Sequence, residues 1–230
     1  MKTIGLLGGM SWESTRSYYQ AINQGVNKAL GGLSSAKLCL YSVNFDEIEK
    51  LQHQGDWAKT AEILAAAAQG VEASGADFLL ICTNTMHKVA DTISAAINIP
   101  LLHIADATAD QLTQNKITKV GLLGTKFTME QDFYKGRLTD KFGIDVIVPS
   151  PEEQDIIHNV IYQELCLGQI KPQSKQQYLH IINELHKKGA QAIILGCTEI
   201  ALLINQKDTN VTLFDTTAIH AQAAIKLALE

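Results

Sequence analysis

The chain has 230 residues, a net charge of −5 at neutral pH, 46% apolar residues and 19% charged residues. This length allows one large domain or two smaller ones, and the composition is that of an ordinary globular protein. The negative charge and the lack of a basic cluster argue against nucleic-acid binding, and no apolar run approaches the length of a membrane span.

Short β-type runs alternate along the chain with longer helical patterns. The predicted strands are 3–7, 37–42, 77–82, 101–103, 119–123, 145–148, 192–195 and 212–214. The predicted helices are 13–29, 56–73, 86–96, 105–115, 129–142, 153–166, 175–188 and 217–229. Because strands that alternate with helices in this way are typical of α/β proteins, the pattern predicts parallel sheets.

Three pairs of segments repeat in the same order about half a chain apart. IGLLGGMSWESTRSYYQAI and VGLLGTKFTMEQDFYKGRL each read as a strand, a glycine turn and a helix, with Tyr18 and Tyr134 at matching positions. SGADFLLICTNT matches KGAQAIILGCTE, and NIPLLHIADATA matches NVTLFDTTAIHA more weakly. The repeats predict two similar α/β lobes with a boundary near residues 98 to 117.

The choice of register decides which residue of the first lobe corresponds to Cys197. Matching the letters Cys-Thr pairs Cys82 with Cys197. Counting without a gap from Gly75 and Gly189, which read as the residues that close the preceding helices, pairs Thr83 with Cys197 instead. Because side chains alternate between the faces of a strand, the second count predicts that Thr83 is presented at the strand tip and that Cys82 points away from it.

Both strand tips are predicted to meet a helix N-terminus, where open α/β sheets bind ligands. The backbone N–H groups of TNTM and CTEI are expected to face an anion, and the same field is expected to lower the pKa of Cys197. Asn84, Thr85, Thr198 and Glu199 would line such a site. Helix capping is the alternative role of these four side chains.

GLLGGMSWEST, TNT at residues 83–85 and GCTE at residues 196–199 resemble the motifs of the cofactor-independent aspartate/glutamate racemases, in particular their enterobacterial L-aspartate/glutamate-specific branch. The resemblance covers the whole chain. It implies two Rossmann-like lobes, formed by residues 1–98 with 216–230 and by residues 99–215, and an active site in the cleft between them. It also implies a small-molecule amino-acid substrate, no cofactor and a homodimer.

The resemblance further implies that two residues act on opposite faces of the substrate's α-carbon. Cys197 would remove the proton of the L-amino acid. Thr83, which stands where the family usually has a cysteine, would return a proton from the other face, directly or through water. A threonine hydroxyl is far less acidic than a thiol, whose ordinary pKa is about 8.5, so it is a poor base. The activity is therefore expected to favour L-substrates.

Other residues are weaker candidates for the site. Met10 is expected either to contact substrate or to belong to the core. Gln52 is expected to hold the distal carboxylate, with His53 and Asn44 as alternatives. Cys166 stands where relatives often have a lysine, which weakens the case for dicarboxylate binding. A broad-specificity racemase, a small-acid isomerase and a binding protein without catalysis therefore remain alternatives.

Four residues near the strand tips are expected to have structural roles. Thr125 and Thr128 are expected to cap the next helix, with substrate binding as the alternative, and His87 and His220 are expected to be structural histidines, with acid–base catalysis as the alternative. The four cysteines (Cys39, Cys82, Cys166 and Cys197) show no metal-like spacing and no disulfide pattern. Because the segment MKTIGLLGG also lacks a secretory pattern, we expect a cytoplasmic protein with free thiols and no bound metal.

Overall fold

The computed structural model describes all 230 residues and divides into two compact units. Unit 1 contains Met1–Ile104 and His220–Glu230, and unit 2 contains Ala105–Ile219. The chain therefore leaves unit 1 once and returns to it with its C-terminal segment. No helix is long and apolar enough to cross a membrane.

Unit 1 is built on a parallel sheet of three strands in the order β2-β1-β3. A 3-10 helix at Thr85–Val89 follows the third strand. The elements in chain order are β1 (Ile4–Gly8), α1 (Trp12–Leu30), β2 (Leu38–Ser42), α2 (Phe45–Gln54), α3 (Trp57–Ala73), β3 (Phe78–Ile81) and α4 (Ala90–Ala95).

Unit 2 is built on a parallel sheet of four strands in the order β5-β4-β6-β7. Further 3-10 helices lie at Leu165–Leu167 and Gln206–Asp208. The elements from the helix that enters unit 2 to the helix that returns to unit 1 are α5 (Ile104–Gln114), β4 (Lys119–Gly124), α6 (Lys126–Glu130), α7 (Asp132–Phe142), β5 (Asp145–Ile147), α8 (Pro151–Gln163), α9 (Pro172–Lys187), β6 (Ala192–Gly196), α10 (Ile200–Leu203), β7 (Thr212–Asp215) and α11 (Thr216–Leu229). The predicted α/β class with two parallel sheets is confirmed.

Some predicted elements are wrong in extent. The strand at 101–103 is reduced to one bridge between Leu101 and Leu79, because the chain passes into α5 at Ile104. The helix at 129–142 is broken at Gln131, whose backbone is extended and separates α6 from α7. The helix at 86–96 begins as a 3-10 helix and is α-helical only over α4.

Two further differences concern helix limits. The helix predicted at 153–166 begins at Pro151 and ends at Gln163, because the Ser150 and Glu153 side chains form a capping box at its start. α2 is not in the predicted set, although its buried Ile48 and Gln52 lie one turn apart on one face of the helix. The helix was not predicted because it has only ten residues, most of them polar, and therefore gives a weak apolar pattern.

The sheet of unit 1 has a separate apolar core on each face. One core contains Leu7, Leu79 and Ile81 of the sheet with residues of α2, α3 and α4. The other contains Leu6, Leu80 and Cys82, with residues of α1 and the C-terminal helix α11. The central strands of the sheets also share a feature: a Cβ at Gly5 would lie 2.5 Å from Val71, and one at Gly121 would lie 2.5 Å from Ile193.

Three histidines and a tyrosine form a buried polar cluster in unit 1. The rings of His87 and His103 have centroids 4.4 Å apart, and those of His87 and His220 are 6.0 Å apart. The Nε2 atom of His220 lies 2.8 Å from the Leu102 carbonyl oxygen, so this nitrogen carries the proton. Its Nδ1 atom therefore accepts from the Tyr18 hydroxyl at 2.8 Å. Burial lowers the pKa of His220 to about 4.

Acid is expected to destabilise unit 1 through His220. The unfolded chain takes up a proton on this residue below about pH 6.5, whereas the folded chain does so only near pH 4. The stability that neutral His220 contributes is thus complete above about pH 6.5 and falls as the pH drops toward 4, by about 3 kcal/mol in total.

Urea unfolding at pH 7 and pH 4.5 measures this loss. His220→Gln is the matched control, because its amide can still donate to the Leu102 carbonyl but does not titrate. The wild type should lose more free energy of unfolding between the two pH values than the variant. An equal loss in both proteins would show that His220 does not cause the acid sensitivity.

Candidate active site

The strand register within each unit matches Thr83 with Cys197. In unit 1, Ile4 of β1 pairs with Phe78 of β3. In unit 2, Val120 of β4 pairs with Ala192 of β6. Counting five residues onward from Phe78 and from Ala192 leads to Thr83 and to Cys197. The count from the helix-closing glycines and the hydrogen-bond register of the sheets therefore agree.

Cys82 lies on the other side of the strand. Its side chain continues the face of Phe78 and Leu80 and is fully buried in the core against α1 and α11. Burial raises the pKa of its thiol well above the ordinary range. Its match in unit 2 is Gly196, which carries no side chain. Cys82 is thus a core residue, and the letter match with Cys197 does not describe the fold.

The tip of β3 presents three polar residues in sequence. Thr83 is half-buried, and Asn84 and Thr85 are buried. The backbone oxygen of Thr83 lies 2.8 Å from the Nδ1 atom of His87. Asn84 begins the 3-10 helix with helical backbone angles and does not cap it through its side chain. The alternative role of Asn84 as a capping residue is therefore wrong.

The tip of β6 combines a thiol with a carboxylate. The Cys197 thiol donates to Oε2 of Glu199 at 3.0 Å, and the Thr198 hydroxyl donates to the same oxygen at 2.7 Å. The Glu199 side chain is buried, whereas Cys197 is half-buried. A half-buried thiol that donates to a buried carboxylate can transfer its proton to that carboxylate without changing the net charge of the pair.

The electrostatic surroundings of Cys197 correct one expectation from the sequence. Burial and the negative charge of Glu199 raise the pKa of this thiol well above its ordinary value, rather than lowering it. The following helix, α10, has only four residues, and its dipole is too small to compensate. The helix after β3 is likewise a 3-10 helix of five residues. The anion sites expected at two helix N-termini are therefore not supported.

Cys166 is a neighbour of this carboxylate that the sequence did not indicate. Its thiol donates to Oε1 of Glu199 at 3.9 Å, so the two carboxylate oxygens face two different thiols. Burial, together with Glu199, raises the pKa of Cys166 above the ordinary range. The separation of 33 residues between Cys166 and Glu199 left no local pattern from which this contact was recognisable.

Two substrate-contact candidates lie inside unit 1. Met10 is buried in the core with Leu7 and Ile48. Gln52 lies in the last turn of α2 and is also buried, and its Oε1 atom has no hydrogen-bond partner. A buried amide oxygen without a partner is unfavourable, which makes Gln52 the stronger candidate for contact with a ligand.

Thr125 follows the central strand of unit 2 and has the expected capping role. Its hydroxyl oxygen accepts a hydrogen bond from the Thr128 backbone N–H at 3.3 Å and so caps the N-terminus of α6. The two hydroxyl oxygens lie 3.2 Å apart. Capping of α6 by Thr125 is thus confirmed, whereas the expected capping by Thr128 is wrong, because this residue lies inside α6.

Each of the two parallel-sheet units ends a strand in a reactive group at the matching position, a thiol beside a carboxylate in unit 2 and a hydroxyl in unit 1. The family model described as Asp/Glu/Hydantoin racemase matches residues 7–224. The chain belongs to this family and is an isomerase that acts on amino acids.

Several relatives resemble the chain over its whole length. A protein from Yersinia pestis, described as a candidate Asp/Glu racemase, is 56% identical with a TM-score of 0.93, and the match covers 100% of both chains. An aspartate racemase homologue from Pyrococcus horikoshii is 36% identical with a TM-score of 0.87, again over 100% of both chains. The broad specificity amino-acid racemase RacX of Bacillus subtilis is 24% identical over 98% of each chain.

The charge of Glu199 is expected to suppress the reactivity of Cys197. Glu199→Gln removes this charge, so the pKa of the thiol should fall and alkylation by iodoacetamide at pH 7.5 should become about tenfold faster. Mass spectrometry of timed samples measures the reaction at each cysteine separately.

Cys39 provides an internal control in the same samples. The partner of its thiol is the Ser74 carbonyl and not Glu199. The alkylation rate of Cys39 should therefore be the same in both proteins. Slower alkylation of Cys197 in the Glu199→Gln variant would contradict this expectation, because it would mean that proton transfer to the carboxylate outweighs the effect of its charge.

Proposed function

We propose that the chain is a cofactor-independent racemase of L-aspartate and L-glutamate. Cys197 is the base that removes the α-proton, and Thr83 is the proton donor on the opposite face of the α-carbon. The matched register of Thr83 and Cys197 at the tips of β3 and β6 is the observation that carries this proposal. It gives the two residues equivalent places in two similar units.

Formation of the thiolate is the first chemical step. The Cys197 thiol passes its proton to Oε2 of Glu199, 3.0 Å away, which leaves a thiolate and a neutral carboxylic acid. The net charge of the pair stays at −1, so no additional charge is buried. Because burial, the largest cause, raises the pKa of this thiol, the thiolate is a stronger base than an exposed cysteine once it has formed.

Proton abstraction and return complete the inversion. The thiolate takes the α-proton of the L-amino acid, and the electrons of the broken C–H bond pass to the substrate's carboxyl group. The Thr83 hydroxyl, or a water that it holds, delivers a proton to the other face. Water then restores the proton of the hydroxyl, and the Cys197 thiol returns to its resting state when Glu199 is again ionised.

The other candidate residues are assigned to substrate binding, to which Glu199 contributes in addition to its part in proton transfer. We assign Asn84 and Thr85 from the tip of β3, Thr198 and Glu199 from the tip of β6, and Met10 and Gln52 from the rest of unit 1. We assign Gln52 to the distal carboxylate, because the N–H groups of a neutral amide donate hydrogen bonds without adding charge. Its unpartnered Oε1 atom is an acceptor and is suited to a donor group of the substrate instead.

A broader substrate range is the second candidate. The neighbour of Glu199 at position 166 is a neutral thiol. A cationic side chain at this position would bind a second substrate carboxylate more firmly than a thiol does. RacX, which matches nearly the whole chain, is described as a broad specificity racemase. A panel of L-amino acids decides between the two: turnover confined to aspartate and glutamate supports the first candidate, and turnover of apolar amino acids supports the second.

We also propose a cytoplasmic homodimer. Large apolar side chains at Trp12, Tyr19 and Leu30 are exposed along α1, and Leu33 beyond it is fully exposed. Exposed apolar groups of this kind are common at interfaces between copies of a chain. Light scattering of the purified protein measures the oligomeric state, and a monomer at micromolar concentration would contradict the homodimer.

The two enantiomers of aspartate are expected to react at different rates. At saturating substrate, L-aspartate in heavy water should exchange its α-proton and form D-aspartate, whereas kcat for D-aspartate should be at least tenfold lower, because Thr83 is a poor base. The KM for D-aspartate should be lower in the same proportion, since the two enantiomers have equal free energy. Chiral chromatography with mass spectrometry measures both initial rates.

Cys197→Ser should abolish both reactions, and Cys39→Ser is the matched control for loss of a thiol elsewhere. Equal kcat values for the two enantiomers at saturating substrate would contradict the one-sided mechanism. Persistence of exchange in Cys197→Ser would contradict the role of Cys197.

Thr83→Cys is expected to make the mechanism more symmetric. A thiol at this position supplies a second base, so turnover of D-aspartate should rise by at least tenfold while turnover of L-aspartate is retained. Initial rates from each pure enantiomer measure the change. Cys82→Ser is the comparison at the neighbouring, core-facing position, and an unchanged rate for D-aspartate in Thr83→Cys would remove Thr83 from the proposed pair.

A further inference from the structure

We propose that His87 is a positioning residue for Thr83, acting through a hydrogen bond to the Thr83 backbone carbonyl. This inference rests on the proposed function, because it takes Thr83 to be the proton donor. It gives a buried histidine a defined part in one half of the reaction.

The hydrogen bonds of His87 allow only one arrangement of its ring protons. Its Nε2 atom accepts from the Ile104 backbone N–H at 3.2 Å, so this nitrogen carries no proton. Its Nδ1 atom therefore carries the proton and donates to the Thr83 carbonyl oxygen at 2.8 Å. The neutral ring thus links the tip of β3 to the first residue of α5.

The surroundings keep this ring neutral. His87 is buried, and burial lowers its pKa well below the ordinary value, with His103 and His220 adding to the effect. A charged ring would have to give up the hydrogen bond from Ile104, because both of its nitrogens would then be donors. One tautomer is therefore present throughout the neutral pH range.

Unit 2 has no corresponding support at its own strand tip. The residue that matches His87 by register is Ala201, and the Cys197 carbonyl accepts from the Ile200 backbone N–H at 3.1 Å instead. The thiol is held through its side chain by Glu199. The two strand tips therefore differ in their interactions: a carboxylate accepts a hydrogen bond from the Cys197 thiol, and an imidazole donates one to the backbone carbonyl of Thr83.

A fixed carbonyl matters because it fixes the peptide plane that follows Thr83, and with it the direction of the Thr83 side chain. A weakly acidic hydroxyl transfers a proton well only from a well-aligned position, and misplacement by about 1 Å can cost about a hundredfold in rate. Removal of the His87 donor should therefore slow delivery of the proton more than its abstraction by Cys197.

Two substitutions separate the two hydrogen bonds of the ring. In His87→Asn, the amide nitrogen lies near the place of Nδ1 and can still donate to the Thr83 carbonyl. In His87→Gln, the amide group lies near the place of Nε2 and can accept from the Ile104 N–H but does not reach the Thr83 carbonyl. The two variants carry amides of the same chemistry and are matched controls for each other.

The measurement follows L-aspartate in heavy water with the full-length protein. Formation of D-aspartate reports delivery of a proton to the far face, and deuterium in the remaining L-aspartate reports abstraction by Cys197. We expect His87→Gln to lower kcat for D-aspartate formation by about 10- to 100-fold, with KM and deuterium uptake within about twofold of wild type. His87→Asn should retain kcat within about threefold.

Several outcomes would overturn the inference. Equal losses in the two variants, or a parallel fall of inversion and deuterium uptake in His87→Gln, would assign the histidine a merely structural role. If the variants do not fold, nitrogen-15 NMR of the wild-type ring still tests the geometry, and a protonated Nε2 would refute it. A wild type that neither inverts nor exchanges L-amino acids would instead refute the proposed function itself.

Discussion

The pairing of the central strand of each sheet with its neighbour determines which residues stand at the strand tips. In a parallel sheet, a shift of one residue would exchange the two faces of the strand. The pairing of β1 with β3 buries Cys82 beneath α1 and α11 and leaves Thr83 as the match of Cys197. The hydroxyl–thiol asymmetry of the two tips is therefore a consequence of backbone hydrogen bonds, even though the letters Cys-Thr occur in both segments.

Electrostatics then separates the two tips further. The thiol of Cys197 is held neutral by burial and by Glu199, so the same carboxylate that suppresses the resting thiolate is the group placed to receive its proton. Thr85 takes the matching place in unit 1 and brings no charge. In unit 1, the imidazole ring of His87 donates a hydrogen bond to the backbone carbonyl of Thr83. In the proposed mechanism, unit 2 supplies the group that removes the proton and unit 1 positions a neutral proton donor.

Much of this organisation was predictable from the sequence. Alternating patterns predicted the parallel sheets, and the repeated segments led to the match between Thr83 and Cys197. The pKa of Cys197 was predicted in the wrong direction, because its burial and the 3.0 Å contact with Glu199 depend on tertiary packing. The contact between Cys166 and Glu199 and the two hydrogen bonds of His87 join distant segments or depend on ring orientation. No periodicity or spacing in the chain reports such features.

The return of the C-terminal segment to unit 1 has a consequence for synthesis on the ribosome. Unit 2 is formed by one continuous stretch, Ala105–Ile219, so all of its residues are synthesised before the segment 220–230 that completes unit 1. Unit 1 must wait for the last helix, whose Ala221, Ala224 and Ile225 complete the core beside Cys82. The backbone N–H of Lys2 donates to the carbonyl of Ala228, so a segment that precedes unit 2 in the chain is bonded to one that follows it. The half that begins first is therefore the half that finishes folding last.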